Sequence, residues 1–140
     1  MISSLFSCST PVEQKNETPK EAIKTGEINS TEFIKGKKIY DALCANCHAP
    51  KGQGIGKLYP PLAQSDYLAA NTRSIACLIK RGSQEPMTVN GVTYKMPMPA
   101  QNGLNEVEIS DLLNYIFNAW GNKLGPVTQE QVLEDWEECK

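Results

Sequence analysis

The sequence predicts an all-α domain of three to five helices that carries one small β-hairpin. Apolar residues recur at helical spacing near residue 40 and again near residue 110, each run preceded by a capping candidate. Between them, Asn90-Gly91 sits inside a short β-branched run, the pattern of a tight two-residue hairpin turn. At 140 residues and 40% hydrophobic side chains, the chain fills one core with flanking tails and has no material for a second.

The first helix is expected from Ser30, Thr31 and Glu32 onward, with a Ser or Thr cap, apolar side chains at Phe33, Ile34, Ile39, Tyr40 and Leu43, and a run straight into Cys44. Gly36 inside it costs about 1 kcal/mol relative to Ala and so points to close approach of another helix. Gly52, Gly54, Gly56, Pro60 and Pro61 then enforce a loop, followed by a shorter helical stretch over 72–81. Thr88 to Tyr94 forms the hairpin. Asn105 caps the partner helix, whose first turn holds Glu106 and Glu108 and whose apolar stripe is Ile109, Leu112, Leu113, Ile116 and Phe117, with Gly121 as its terminator. Thr128 and Gln131 form a capping box for a last acidic helix, with Val132, Leu133 and Trp136 on one side.

The segments outside this domain have a different composition. Leu5-Phe6-Ser7-Cys8 resembles the end of a bacterial lipoprotein signal, so residues 1–8 read as a signal remnant ending at a lipid-bearing Cys8; an ordinary frayed terminus is the alternative. Residues 9–29 are rich in Ser, Thr, Pro, Glu, Lys and Asn and read as a flexible linker. Residues 30–140 form the domain. The formal charge of −2 is unevenly placed: residues 31–125 carry ten basic and seven acidic side chains, whereas 126–140 carry five acidic and one basic. Neither segment has the clustered basic face of a nucleic-acid binder, and no apolar run is long enough to span a membrane.

The chemistry concentrates at Cys44-Ala45-Asn46-Cys47-His48, the Cys-x-x-Cys-His run that attaches a c-type haem. Two thiols three positions apart each add to one vinyl group of the macrocycle, and the adjacent imidazole then lies under the iron as an axial ligand. A structural zinc site is a rival reading, but it needs four ligands, and His48 is the only His while Cys8, Cys77 and Cys139 lie far off. A thioredoxin-type dithiol is another, but it needs a strand before the motif and a helix opening on it, where this chain has a helix and then a Gly-rich loop. If His48 binds iron on one side, the sixth ligand decides between electron transfer and small-molecule chemistry. Met is favoured because its soft thioether stabilises ferrous iron. Met96-Pro97 and Met98-Pro99 follow the hairpin, and Met87 is less well placed.

Taken together, these motifs resemble the class I c-type cytochromes, particularly the bacterial kind that serves, alone or fused, with copper nitrite reductases, dehydrogenases and oxidases. The likeness covers about residues 32–136 and rests on Gly36-x-x-x-Tyr40 before Cys44-x-x-Cys47-His48, Gly52-x-Gly54, Tyr59-Pro60-Pro61-Leu62, Val89 to Tyr94, the Met-Pro pair, Leu104, Tyr115-Ile116 and Trp120-Gly121-Asn122. The resemblance implies one covalent haem c inside the helical fold. It implies Met98 as the ligand, four residues after Tyr94 and six before Leu104, with Met96 departing from that spacing by two. It further implies that a Pro carbonyl accepts the Nδ1–H of His48, a role that Pro60 fits and Pro61 could also fill, and that Leu62 and Tyr94 lie beside the cofactor. Gly36, Tyr40 and Tyr115 match the contact between first and last helices.

The expected function is that of a one-electron carrier between respiratory partners such as an oxidase, nitrite reductase or dehydrogenase, not an enzyme. It is expected outside the cytoplasmic membrane, in the periplasm, with lipid attachment at Cys8. The rivals are a haem enzyme or gas sensor with an open sixth position, a zinc-built binding module, and a fixed subunit that admits electrons to an oxidase or reductase. Cys77 reads as a small, unreactive core residue and Cys139 as a free thiol or a link to another chain. The scattered lysines read as a solvated surface, some ringing the haem edge to steer an acidic partner.

Overall fold

Asn29 sits in extended conformation and its side chain accepts a hydrogen bond from the Thr31 amide at 2.9 Å, so the first helix, α1 (Ser30–Leu43), is capped one residue before the Ser/Thr cap expected. The structure is a computed structural model that describes residues 28–139. The signal remnant, Cys8 and nearly all of the linker lie outside those residues.

After α1 come α2 (Ala45–His48), α3 (Asp66–Ala70), α4 (Ile75–Arg81), β1 (Met87–Val89), β2 (Val92–Tyr94), α5 (Glu106–Ile116) and α6 (Gln129–Glu137). Two short helical turns, α2 and α3, bring the described helices to six. The stretch expected over 72–81 begins only at Ile75, because Ser74 folds back onto the Asn71 carbonyl in a turn. The unexpected α3 is capped by Ser65, whose hydroxyl accepts from the Leu68 amide. β1 and β2 pair antiparallel with Met87 opposite Tyr94 and Val89 opposite Val92. Asn90 and Gly91 both have positive φ, as a type I′ turn requires.

The frame is the crossing of α1 and α5. Gly36 makes it possible: a Cβ there would lie 2.6 Å from the Asp111 carbonyl carbon and 2.9 Å from Tyr115 Cβ. Around the crossing, Tyr115 meets Phe33 and Trp120 edge to face and Tyr40 packs on Tyr115 and Trp120 at a tilt, with centroids 4.9–5.5 Å apart. Tyr40, Ile109, Leu112, Leu113, Phe117 and Val132 are fully enclosed. Ile34 is 54% exposed, since Phe33, Gly36 and Tyr40 set the buried stripe and Ile34 falls beside it.

Helix α5 stops at Ile116, short of Gly121, where the Asn118 amide tightens onto the Tyr115 carbonyl three residues back and Trp120 takes a positive φ that no helix continues through. Helix α6 opens with the expected capping box of Thr128 and Gln131. Its Val132 is buried, but Leu133 points outward at 46% exposure, so only Val132 and Trp136 share the inner side. Cys77 is neither free nor a plain core residue, and Cys139 is not a free thiol: they are disulfide-bonded to each other, Cα atoms 5.7 Å apart, joining α4 to the residues just after α6.

Candidate functional site

Cys44 ends α1 and opens α2, and the amides of Cys47 and His48 both bond its carbonyl, at 3.1 and 2.9 Å. This single tight turn puts Cys44, Cys47 and His48 on the wall of one cleft. The turn is held from outside. The Tyr40 hydroxyl donates to the Ala49 carbonyl at 2.7 Å, and the Gly54 amide donates to the His48 carbonyl at 2.9 Å.

His48 Nδ1 donates to the Pro60 carbonyl at 2.9 Å. Burial lowers its pKa, against a smaller opposing effect of that hydrogen bond, so the imidazole is neutral near pH 7. With Nδ1 carrying the proton, Nε2 is left with a free electron pair, the state a metal-binding imidazole needs. Pro61 also lines the cleft, but the bond to His48 comes from Pro60. Burial pushes the Cys44 thiol up to about 11, which disfavours the thiolate that a redox-exchange dithiol depends on. The thioredoxin reading loses its chemistry. Among the described residues no three His, Cys, Asp or Glu side chains gather closely enough to hold a metal ion, and with Cys77 and Cys139 bonded together those residues offer the zinc reading no fourth thiol or imidazole.

The remaining walls come from α3, α4, the hairpin and the segment after it. Leu62, Leu68, Ile75, Ile79, Val89, Tyr94, Met98 and Ile116 line one predominantly apolar cleft, the kind of lining usual for cofactor sites. Such an apolar space, with two thiols and a ligand-ready imidazole on one wall, fits a covalently held porphyrin. Met98 is half-buried against the core, and Ser83 and Met98 exchange both backbone hydrogen bonds, at 2.9 and 2.8 Å. Gly82 permits that contact, because a Cβ there would lie 2.7 Å from the Ala100 amide nitrogen and collide with the Met98 carbonyl oxygen. Met96 also reaches the cleft but is 46% exposed, and Met87 lines it from β1.

The residues singled out from sequence, Cys44, Cys47, His48, Pro60, Leu62, Tyr94 and Met98, thus surround one space. Sequence reading missed the supports. Asn122 donates to the Leu62 and Ile116 carbonyls and accepts from the Gln64 amide at 2.7 Å, fixing the loop that carries Leu62. Asp66 and Asn90 exchange hydrogen bonds between side chain and backbone, at 2.7 and 3.0 Å, and dock the hairpin on α3. Lys80-Arg81-Gly82 carries a readable helix-end signal, basic residues and then Gly, but nothing local foretells that Ser83 pairs with Met98.

The family model for cytochrome c matches residues 33–120, a stretch that stops before α6. The chain is 32% identical over 108 residues to the cytochrome c subunit of alcohol dehydrogenase (quinone) from Gluconacetobacter polyoxogenes, covering 75% of this chain and 23% of that protein. It therefore spans about a quarter of that relative's length. It is 36% identical over 106 residues to cytochrome c-552 of Thermus thermophilus, covering 69% of this chain and 80% of the relative. With cytochrome c-554(547) of Halothiobacillus neapolitanus the identity is 33% over 88 residues, 58% of this chain and 89% of the other.

Proposed function

The chain belongs to the cytochrome c family, and from that premise we propose that it is a one-electron carrier, with haem c bound through Cys44 and Cys47 and iron held between His48 and Met98. The observation that carries the proposal is the single apolar cleft into which α2 and the segment after the hairpin both present a ligand-ready side chain, each anchored through its backbone. When bound, the haem supplies an iron that gains and loses one electron. The two thiols keep it attached through that change. His48 keeps one ring orientation because Pro60 holds its Nδ1 proton, and the apolar lining excludes water, which favours the reduced, less charged state. With the Met98 thioether as its second protein ligand, the iron would offer no open site to oxygen, peroxide or nitrite. Chain residues that hold the same geometry in both states make transfer fast; none is required to move a proton.

The partners in this reading are other redox proteins. Leu43, Ile55, Leu58 and Met96 are exposed, and the first and last of these also line the cleft. Kinship to a dehydrogenase cytochrome subunit supports a second reading, in which the chain is a fixed member of a larger redox assembly. Copurification of a large partner after mild solubilisation favours that reading over a free carrier. Location outside the cytoplasmic membrane, with lipid on Cys8, belongs to the same proposal; none of the described helices is long and apolar enough to cross a membrane.

The test is a pyridine haemochrome assay followed by exposure of the reduced protein to carbon monoxide. One covalent haem per chain with no rapid spectral shift is the expected result. A rapid, stoichiometric shift would establish an open sixth position and with it the enzyme or sensor reading.

A further inference from the structure

Helix α6 lies past the family-matched stretch, yet it and the residues just after it are bound to α4 and the turn before α4 by more than packing. Cys77 is bonded to Cys139. Arg73 Nε donates to the buried carboxylate of Asp135 at 2.7 Å, and its Nη2 reaches Glu134 at 3.2 Å. Trp136 Nε1 donates to the Ala76 carbonyl at 3.3 Å while Lys80 Nζ sits 3.7 Å over the indole ring. Arg81 donates to the Cys139 carbonyl.

Helix α4 is the element on which Met98 hangs. Ile75, Leu78 and Ile79 line the cleft from it, the Ile79 carbonyl accepts from the Gln101 amide at 2.8 Å, and Gly82 and Ser83 at its end grip the backbone of Met98. A seven-residue helix is too short to be stable alone, so its position is set by what lies on either side. We propose that α6, locked by the Cys77–Cys139 disulfide, is a brace that positions Met98 through α4, and that opening the disulfide loosens Met98 from the iron. The inference rests on Met98 being the ligand.

Both cysteines are only partly buried, within reach of a reductant. Opening takes two electrons and two protons from a dithiol, which itself closes to a disulfide; the sulfur–sulfur bond breaks and two thiols form. The brace is then held only by its ion pairs, the Trp136 and Arg81 hydrogen bonds, the Lys80 contact and packing.

The experiment measures how fast imidazole displaces the sixth ligand of ferric holoprotein, well below its melting temperature. Three forms are compared: wild type, Cys77→Ser/Cys139→Ser, and wild type that has been reduced with excess dithiol, alkylated, and reoxidised at iron with ferricyanide. A displacement rate about tenfold above wild type is expected in the last two, equivalent to ~1.4 kcal/mol off the barrier to losing Met98. A rate within twofold of wild type overturns the proposal, even if the melting temperature falls, because a brace that only stabilises the fold leaves ligand displacement unchanged. If the double variant does not fold, the alkylated form decides. Two free thiols at Cys77 and Cys139 in protein matured under oxidising conditions also overturn it. Met98→Ala is the control: loss of its ferric sulfur-to-iron band with an unchanged displacement rate in the Cys forms defeats the brace alone, whereas retention of the band defeats the ligand assignment and the brace with it.

Discussion

Gly36→Ala adds one methyl group at the α1–α5 crossing, and the structure leaves no space for it. The new Cβ would fall 2.6 Å from the Asp111 carbonyl carbon, 2.9 Å from Tyr115 Cβ, and closer still to the Asp111 carbonyl oxygen. Two of those three atoms are backbone inside α5, so no rotamer change relieves them and the helices must move apart. That opens the contacts of Tyr115 with Phe33 and Tyr40, at centroid distances of 5.0 and 5.5 Å. Overpacking of this kind costs ~1–3 kcal/mol. The upper end applies because the obstruction is rigid, while better helix propensity of Ala returns about 1 kcal/mol. The net loss is about 2 kcal/mol, which at ~4–8 °C per kcal/mol lowers the melting temperature by roughly 8–16 °C. Thermal melting of ferric holoprotein by circular dichroism reads it, with Gly103→Ala, which has nothing near its Cβ position, as the control. The control should stay within about 0.5 kcal/mol of wild type. A Gly36→Ala protein that melts at or above the control would refute the close-crossing account.

Three further outcomes follow from the same geometry. Cys44→Ala/Cys47→Ala protein, deprived of covalent haem, should show little cooperative helix melting, because the apolar cleft left unfilled removes the centre of a small core; a native-like cooperative transition would contradict this. Tyr40→Phe strands the Ala49 carbonyl and should lower stability at pH 7 by ~1–3 kcal/mol in urea melts. Burial raises the Tyr40 pKa far above that of free tyrosine, so its contribution is complete below about pH 10 and is lost as pH climbs towards the folded value, where the unfolded chain ionises and the folded one does not, at up to ~1.4 kcal/mol per pH unit. Tyr40→Phe should therefore show a shallower alkaline loss of stability than wild type, and an identical slope would assign that loss elsewhere.

What could be read from sequence was local. The haem motif, the hairpin at Asn90-Gly91, the Asn105 and Thr128 caps and the close-approach Gly36 each declare themselves within a few residues, and each stands where expected. The misreadings were of long range. Nothing near Cys77 indicates a partner 62 residues away, and nothing near Cys139 distinguishes a bond within the chain from a free thiol or a link to another chain. Leu133 fits the apolar spacing of α6 but faces water, because α6 packs chiefly on α4 and α5 and so buries a narrow stripe. Ile34 fails in the same way on α1. Helix α3 was hidden because its five residues are too few to show a period, and its cap, Ser65, reads as loop. The pinning of Met98 by Ser83 runs backbone to backbone and carries no residue pattern, and Asn122, although part of the Trp120-Gly121-Asn122 motif, gives no local sign that its side chain reaches the Leu62 loop.

The central claim is that a thioether from Met98 completes the iron's coordination opposite His48. The ferric near-infrared spectra of wild type, Met98→Ala and Met96→Ala test it directly. The sulfur-to-iron band should be present in wild type and in Met96→Ala and absent in Met98→Ala. Its survival in Met98→Ala, or its loss in Met96→Ala alone, would contradict the account.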